Sequence, residues 1–226
     1  MRSFASDNNS GVHPLVMDAL QRANEDHALG YGSDKWTDEA VAMLKESFTP
    51  ACESLFVFNG TGSNIVALQL MVRPFHSIIC AETAHIYVDE CGSPVKNTGA
   101  QIRPVLTPDG KLTPELIRPY LHGFGDQHHS QPGAIYLSQC TELGTVYTPV
   151  ELKALTSLAH EHGMYVHMDG ARIANACAYL KTSLKEITAD CGIDVLSFGG
   201  TKNGLMMGEC VVIFNEELKA SAAFVR

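Results

Sequence analysis

The sequence predicts an α/β fold, a mainly parallel sheet with helices on both faces. Two observations carry this prediction. From residue 55 onward, short apolar runs alternate with longer helical segments, giving strand–helix–strand units throughout. The connecting segments are long enough for the crossovers that parallel strands need. At 226 residues and 45% hydrophobic content, the chain can bury one large core.

In chain order, residues 14–29 read as a helix with proline in the first turn and Gly30 just past the end, and a second helix covers residues 37–48. Residues 55–58 form a buried strand, followed by a glycine turn at 60–62 and an apolar helix over 63–72. Strands are expected at 78–80 and 102–105, a helix at 114–122, and a Gly- and His-rich loop at 123–131. The strand at 134–137 precedes Thr148-Pro149-Val150-Glu151, a capping box that opens a helix to about residue 163. Strands at 164–168, 195–198 and 210–214 complete the set, with helices over 171–180 and 216–226.

Composition narrows the function classes. The formal charge is −9, and the scattered cations form no basic face for nucleic acid or an anionic membrane. No apolar core follows Arg2, and apolar runs such as 65–72 stop well short of the roughly 20 residues a bilayer requires. A cytoplasmic protein is expected. Seven cysteines, odd in number and without a Cys-x-x-Cys pair, point to reduced thiols. His160-Glu161-His162 lacks i,i+4 histidine spacing, so no metal is expected.

On parallel sheets ligands sit beyond the carboxyl ends of the strands, and three motifs fall at such ends. Asn59-Gly60-Thr61-Gly62-Ser63-Asn64 lies between a strand and a helix, where free N–H groups and the helix dipole suit a phosphate; it also suits a capped tight turn. It is neither a P-loop nor a dinucleotide fingerprint. Asp169 reads either as a helix N-cap or, with Arg172 three residues on, as half of a carboxylate–guanidinium pair for a ring nitrogen and an adjacent oxyanion. Lys202 follows a strand and Gly199-Gly200; it reads as a solvated lysine or as an amine able to attack an aldehyde carbon. Together the three meet the needs of pyridoxal phosphate.

The chain resembles the low-specificity L-threonine aldolases from Ser6 to about Phe214. The matching stretches are Ser6-Asp7-Asn8, Tyr31-Gly32-Ser33-Asp34, Gly60-Thr61, Ala84-His85-Ile86-Tyr87, Asp169-Gly170-Ala171-Arg172 and Thr201-Lys202. The resemblance implies a pyridoxal-phosphate-dependent transferase-like large domain (fold type I) over residues 13–226, behind an N-terminal arm at 1–12. It also implies that the family's small C-terminal domain, with a further carboxylate-binding arginine, is absent from this chain.

By the same resemblance, Gly60 and Thr61 would bind the cofactor phosphate, His85 would stack on its ring and Asp169 would pair with the ring nitrogen. Lys202 would bond the cofactor's aldehyde carbon. Arg172 would meet the ring oxygen or the substrate carboxylate, which Ser6 would also bind, and Tyr31 would reach a neighbouring subunit's site. A second histidine near the substrate hydroxyl is expected before the 134–137 strand; counting back from Gln139-Cys140-Thr141 selects His129, with His128 the alternative. For His85 a loop-closing polar residue, and for His128 and His129 a solvated pair, are the competing readings. The phosphate loop departs from the family's usual Ser-Gly-Thr, and Gln139-Cys140-Thr141 replaces Glu-Asn-Thr.

The implied activity is cleavage of L-threonine or related L-3-hydroxy-α-amino acids to glycine and an aldehyde, with His129 or His85 taking the β-hydroxyl proton, in a homo-oligomer (a dimer or tetramer). The alternatives are a β-eliminating lyase of the same fold and a non-catalytic cofactor-binding fragment.

Overall fold

The computed structural model describes residues 3–226, so the first two residues of the expected arm lie outside the described residues. All seven expected strands form: β1 (Glu53–Val57), β2 (His76–Ala81), β3 (Gln101–Val105), β4 (Gln131–Ser138), β5 (Tyr165–Gly170), β6 (Val195–Gly199) and β7 (Glu209–Ile213). They make one sheet in the order β1-β7-β6-β5-β4-β2-β3. β7 runs antiparallel to β1 and β6, and every other pairing is parallel.

The helices are α1 (Pro14–Ala23), α2 (Lys35–Ser47), α3 (Gly60–Met71), α4 (His85–Val88), α5 (Ser93–Thr98), α6 (Pro114–Ile117), α7 (Pro149–Glu161), α8 (Ile173–Leu180) and α9 (Glu216–Val225). The capping box at Thr148 and Glu151 opens α7 as expected. Several bounds differ from the sequence expectation. α1 stops at Ala23 with Asn24 as its C-cap, six residues before the expected end. The expected 114–122 helix tightens into a 3₁₀ turn at Arg118–Tyr120, because Pro119 cannot donate to the α ladder. The short α4 and α5 lie in a stretch with no regular apolar period.

Period-2 alternation sends each strand's side chains to opposite faces. Ile79, Ile135, Leu137, Val166 and Met168 pack with Leu152 and Leu155 of α7 and Ile173 of α8. Ile78, Cys80, Ala134 and Tyr136 pack instead with Leu68 and Met71 of α3 and Leu218 of α9. Helices therefore cover both faces, and the strand carboxyl ends are left open to ligand. All seven cysteines are free thiols. Among the described residues no helix is long and apolar enough to cross a membrane.

Candidate active site

One cavity sits at the carboxyl ends of the parallel strands, where β6, β5, β4 and β2 lie side by side. Each strand delivers chemistry through the segment that follows it. Lys202 comes after β6, Arg172 after β5, Glu142 after β4 and His85 after β2, and the start of α3 closes one wall.

That wall is a helix N-terminus. The Asn59 side chain accepts from the N–H of Gly62 at 2.8 Å and its carbonyl accepts from Ser63 at 2.9 Å. The N–H groups of Gly60 and Thr61, both lining the cavity, are the two left unclaimed by these caps. Together with the helix dipole they form an anion cup.

Asp169 occupies the cavity floor. β5 extends through Asp169 and Gly170, so Asp169 is a strand residue and not the cap of α8; Arg172 stands at the N-cap position. The Asp169 carboxylate accepts from Tyr136 Oη at 2.6 Å, Asn64 Nδ2 at 3.1 Å and the Ala171 N–H at 3.0 Å. Burial pushes its pKa up, but these donors outweigh burial and hold it below the ordinary 3.8. The carboxyl therefore stays ionised and ready for a cationic ring N–H. Behind it, Ser197 Oγ donates to Asn64 Oδ1 at 2.9 Å and receives Ser63 Oγ at 2.8 Å, which fixes the amide's orientation.

Lys202 lies in the 3₁₀ turn Thr201–Asn203 directly after β6. The turn is anchored from two sides. The Gly200 N–H donates to Glu209 Oε2 at 2.8 Å, and Asn203 Nδ2 donates to the carbonyls of Gly199 and Ala171 at 2.9 and 3.2 Å. Gly199 is required here: a Cβ would stand 2.6 Å from Ala171 Cα and 2.7 Å from its carbonyl oxygen. Only glycine lets the Lys202 turn approach the Asp169–Arg172 segment so closely.

Arg172 makes a two-pronged pair with Asp7, Nε to Oδ2 at 2.5 Å and Nη2 to Oδ1 at 3.1 Å. The sequence expectation of Arg172 beside Asp169 on a first helical turn is thus corrected, because the residue precedes α8 and reaches to the N-terminal arm. That arm also bonds the Lys202 loop, from the His13 N–H to the Gly204 carbonyl at 2.9 Å. Ser6 does not line the cavity. Its hydroxyl caps the turn Asp7–Asn9 by accepting from the Asn8 N–H at 3.2 Å, and Asn8 lines the cavity in its place.

His85 opens α4 with Nδ1 2.8 Å from Glu90 Oε1. The hydrogen bond to Glu90 raises its pKa above the ordinary 6.5, against the effect of burial. Glu90 is itself buried and accepts from Asn64 Nδ2 at 2.8 Å, so one amide connects His85's partner with Asp169. Glu142 Oε1 accepts from Ser138 Oγ at 2.6 Å and from the His85 N–H at 3.0 Å.

Six of the expected residues, Gly60, Thr61, His85, Asp169, Arg172 and Lys202, line this one cavity. Tyr31 does not; it is fully exposed in a turn at φ 62°. His129 lies outside this cavity. It precedes β4, in a groove with Arg103, His122 and His128, and its Nε2 lies 3.7 Å from Asp126 Oδ2. β4 runs from Gln131 to Ser138 before reaching the cavity, roughly 23 Å at about 3.3 Å per residue. Most of the cavity lining follows parallel strands, and counting back from residue 139 crosses β4 to its other end. Asp7, Asn64, Glu90, Tyr136, Glu142 and Glu209 were not expected from the sequence. Asp7, Asn8 and Asn64 fall within the motifs noted there, while the others carry no local signal.

A family model described as beta-eliminating lyase matches residues 3–226. A low specificity L-threonine aldolase of Pseudomonas aeruginosa is 45% identical over 218 residues, covering 96% of this chain and 63% of that protein. The chain thus spans less than two thirds of that relative's length. The solved structure of a threonine aldolase from Leishmania major overlays with a TM-score of 0.93 at 33% identity, covering 100% of this chain and 66% of that one. An alanine–glyoxylate aminotransferase from Nostoc sp. shares the fold at 16% identity and a TM-score of 0.69, with 96% and 54% covered. The sheet is the fold type I large domain expected from the sequence.

Proposed function

The chain belongs to the beta-eliminating lyase family, and from that premise we propose that it binds pyridoxal 5′-phosphate and cleaves L-threonine or related L-3-hydroxy-α-amino acids to glycine and an aldehyde. The observation that carries this reading is the convergence of Lys202, the ionised Asp169 and the open start of α3 on one cavity.

The donor set fits the cofactor part by part. The N–H groups of Gly60 and Thr61 receive the phosphate. Asp169, held ionised by three donors, accepts the ring-nitrogen proton. Lys202, on its anchored turn, would bond the aldehyde carbon, and His85 would lie against the ring. When bound, the cofactor supplies an electron sink for the α-carbon. Arg172, oriented by Asp7, holds the substrate carboxylate, with Asn8 alongside and Ser6 supporting the turn that carries it.

We also propose a cytoplasmic homo-oligomer. α1 and α2 bury none of their residues and expose Leu15, Met17, Leu20 and Met43, a surface that a second copy would cover. Tyr31 stands between these helices, which supports its reaching a neighbouring subunit's cavity. Residues 13–226 form the large domain in this reading, with residues 1–12 as the arm over Arg172.

The test is direct. The purified protein is titrated with pyridoxal phosphate by absorbance and then given L-threonine. Acetaldehyde and glycine in equal amounts are expected. An α-keto acid would assign β-elimination instead, and cofactor binding without any product would leave only a cofactor-binding role.

A further inference from the structure

We propose that Glu142 is the group that takes the proton from the substrate's β-hydroxyl. The inference deepens the aldolase reading and rests on it. The carboxylates and the imidazole that line the cavity are Asp169, Glu209, Glu142 and His85.

Asp169 has both oxygens engaged by Tyr136, Asn64 and the Ala171 N–H, and its proposed partner is the ring nitrogen. Glu209 is buried beneath the Lys202 turn, with Oε2 on the Gly200 N–H and Oε1 on the Thr201 N–H at 3.4 Å. His85 is tied through Nδ1 to Glu90, and its proposed place is against the cofactor ring. His129 is at the opposite end of β4.

Glu142 differs from all of these. Two donors, Ser138 Oγ and the His85 N–H, fix Oε1, while Oε2 has no hydrogen-bond partner among the described residues. Its segment is itself rigid: the Thr141 N–H donates to the Thr145 carbonyl at 2.9 Å, and Gln139 exchanges two hydrogen bonds with the Tyr147 backbone. The carboxylate is therefore held in place with one oxygen free, in the segment after β4, the strand that lies between β5 with Asp169 and β2, which leads to His85. That is the arrangement a general base requires.

In the step, the β O–H bond breaks and its proton passes to Glu142. A carbonyl forms at the β-carbon, and the Cα–Cβ bonding pair remains with the α-carbon. The α-carbon later takes up one proton to give glycine, which balances the proton that Glu142 received. Glycine has no β-hydroxyl, so exchange of its α-hydrogen does not need this residue.

That difference defines the experiment, made with Glu142→Gln, whose amide oxygen can still accept from Ser138 and His85. Affinities for pyridoxal phosphate and for glycine, read by absorbance, are expected within about twofold of wild type, and deuterium exchange into glycine, read by NMR, is retained. Threonine cleavage should fall about 100-fold or more, in kcat and not KM, the range general-base removal gives. Cleavage within a few-fold of wild type overturns the proposal. So does a parallel loss of glycine exchange and cofactor affinity, which would make Glu142 a structural support. A wild-type protein that exchanges glycine but releases no aldehyde from threonine overturns the aldolase reading, and this inference with it.

Discussion

Tyr136→Phe tests how Asp169 is held. Tyr136 is fully buried on β4, and its hydroxyl makes the shortest contact to the Asp169 carboxylate, 2.6 Å. The substitution removes one of three donors and leaves Asn64 and the Ala171 N–H in place, so the charge is weakened but not stranded. A hydrogen bond to a charged group contributes about 1.5–3 kcal/mol. A chain of this size shifts in Tm by about 2–4 °C per kcal/mol, so the protein without added cofactor should melt about 3–12 °C lower. The pH dependence has a definite sign. Asp169's pKa is lowered in the folded state, so its stabilisation is present above the ordinary 3.8 and is lost as pH falls through the lower folded value. The deficit of Tyr136→Phe should therefore hold from pH 8 to about pH 5 and narrow only below the usual aspartate range. Paired thermal melts across that window are the assay. A Tm within about 1 °C of wild type at pH 7, or a deficit that grows as pH falls toward 4, would refute the reasoning.

Two further outcomes follow from the same geometry. Gly199→Ala places a methyl against the Ala171 backbone, and overpacking of this kind costs about 1–3 kcal/mol; thermal melts should show the loss, and cofactor titration should show weaker binding because the Lys202 turn is displaced. His129→Ala should leave both cofactor affinity and threonine cleavage within about twofold of wild type, since the residue lies at the amino end of β4; a large loss of kcat would contradict that placement.

Much of the architecture could be read from the sequence because short apolar runs separated by crossover lengths are a dense signal. Every expected strand formed, and helices cover both faces of the sheet. What failed was local rules applied where tertiary contacts decide. Asp169 looks like a helix cap in sequence, yet β5 continues through it because Asp169 pairs with Ser197 across the ladder. Arg172 looked like its neighbour's partner, but its carboxylate is Asp7, 165 residues away, a distance at which sequence spacing carries no information. His129 was selected by counting along the chain, and it stands at the amino end of β4, outside this cavity. Glu142 and Glu90 have no motif of their own and became visible only when the segments after β4 and β2 met.

The central claim is that Lys202 carries the cofactor, and borohydride tests it most directly. The protein is saturated with pyridoxal phosphate, reduced, digested and mapped by mass spectrometry. The account predicts one pyridoxyl-modified peptide, with the label on Lys202. A label on Lys181, Lys185 or Lys219, with Lys202 unmodified, would contradict it.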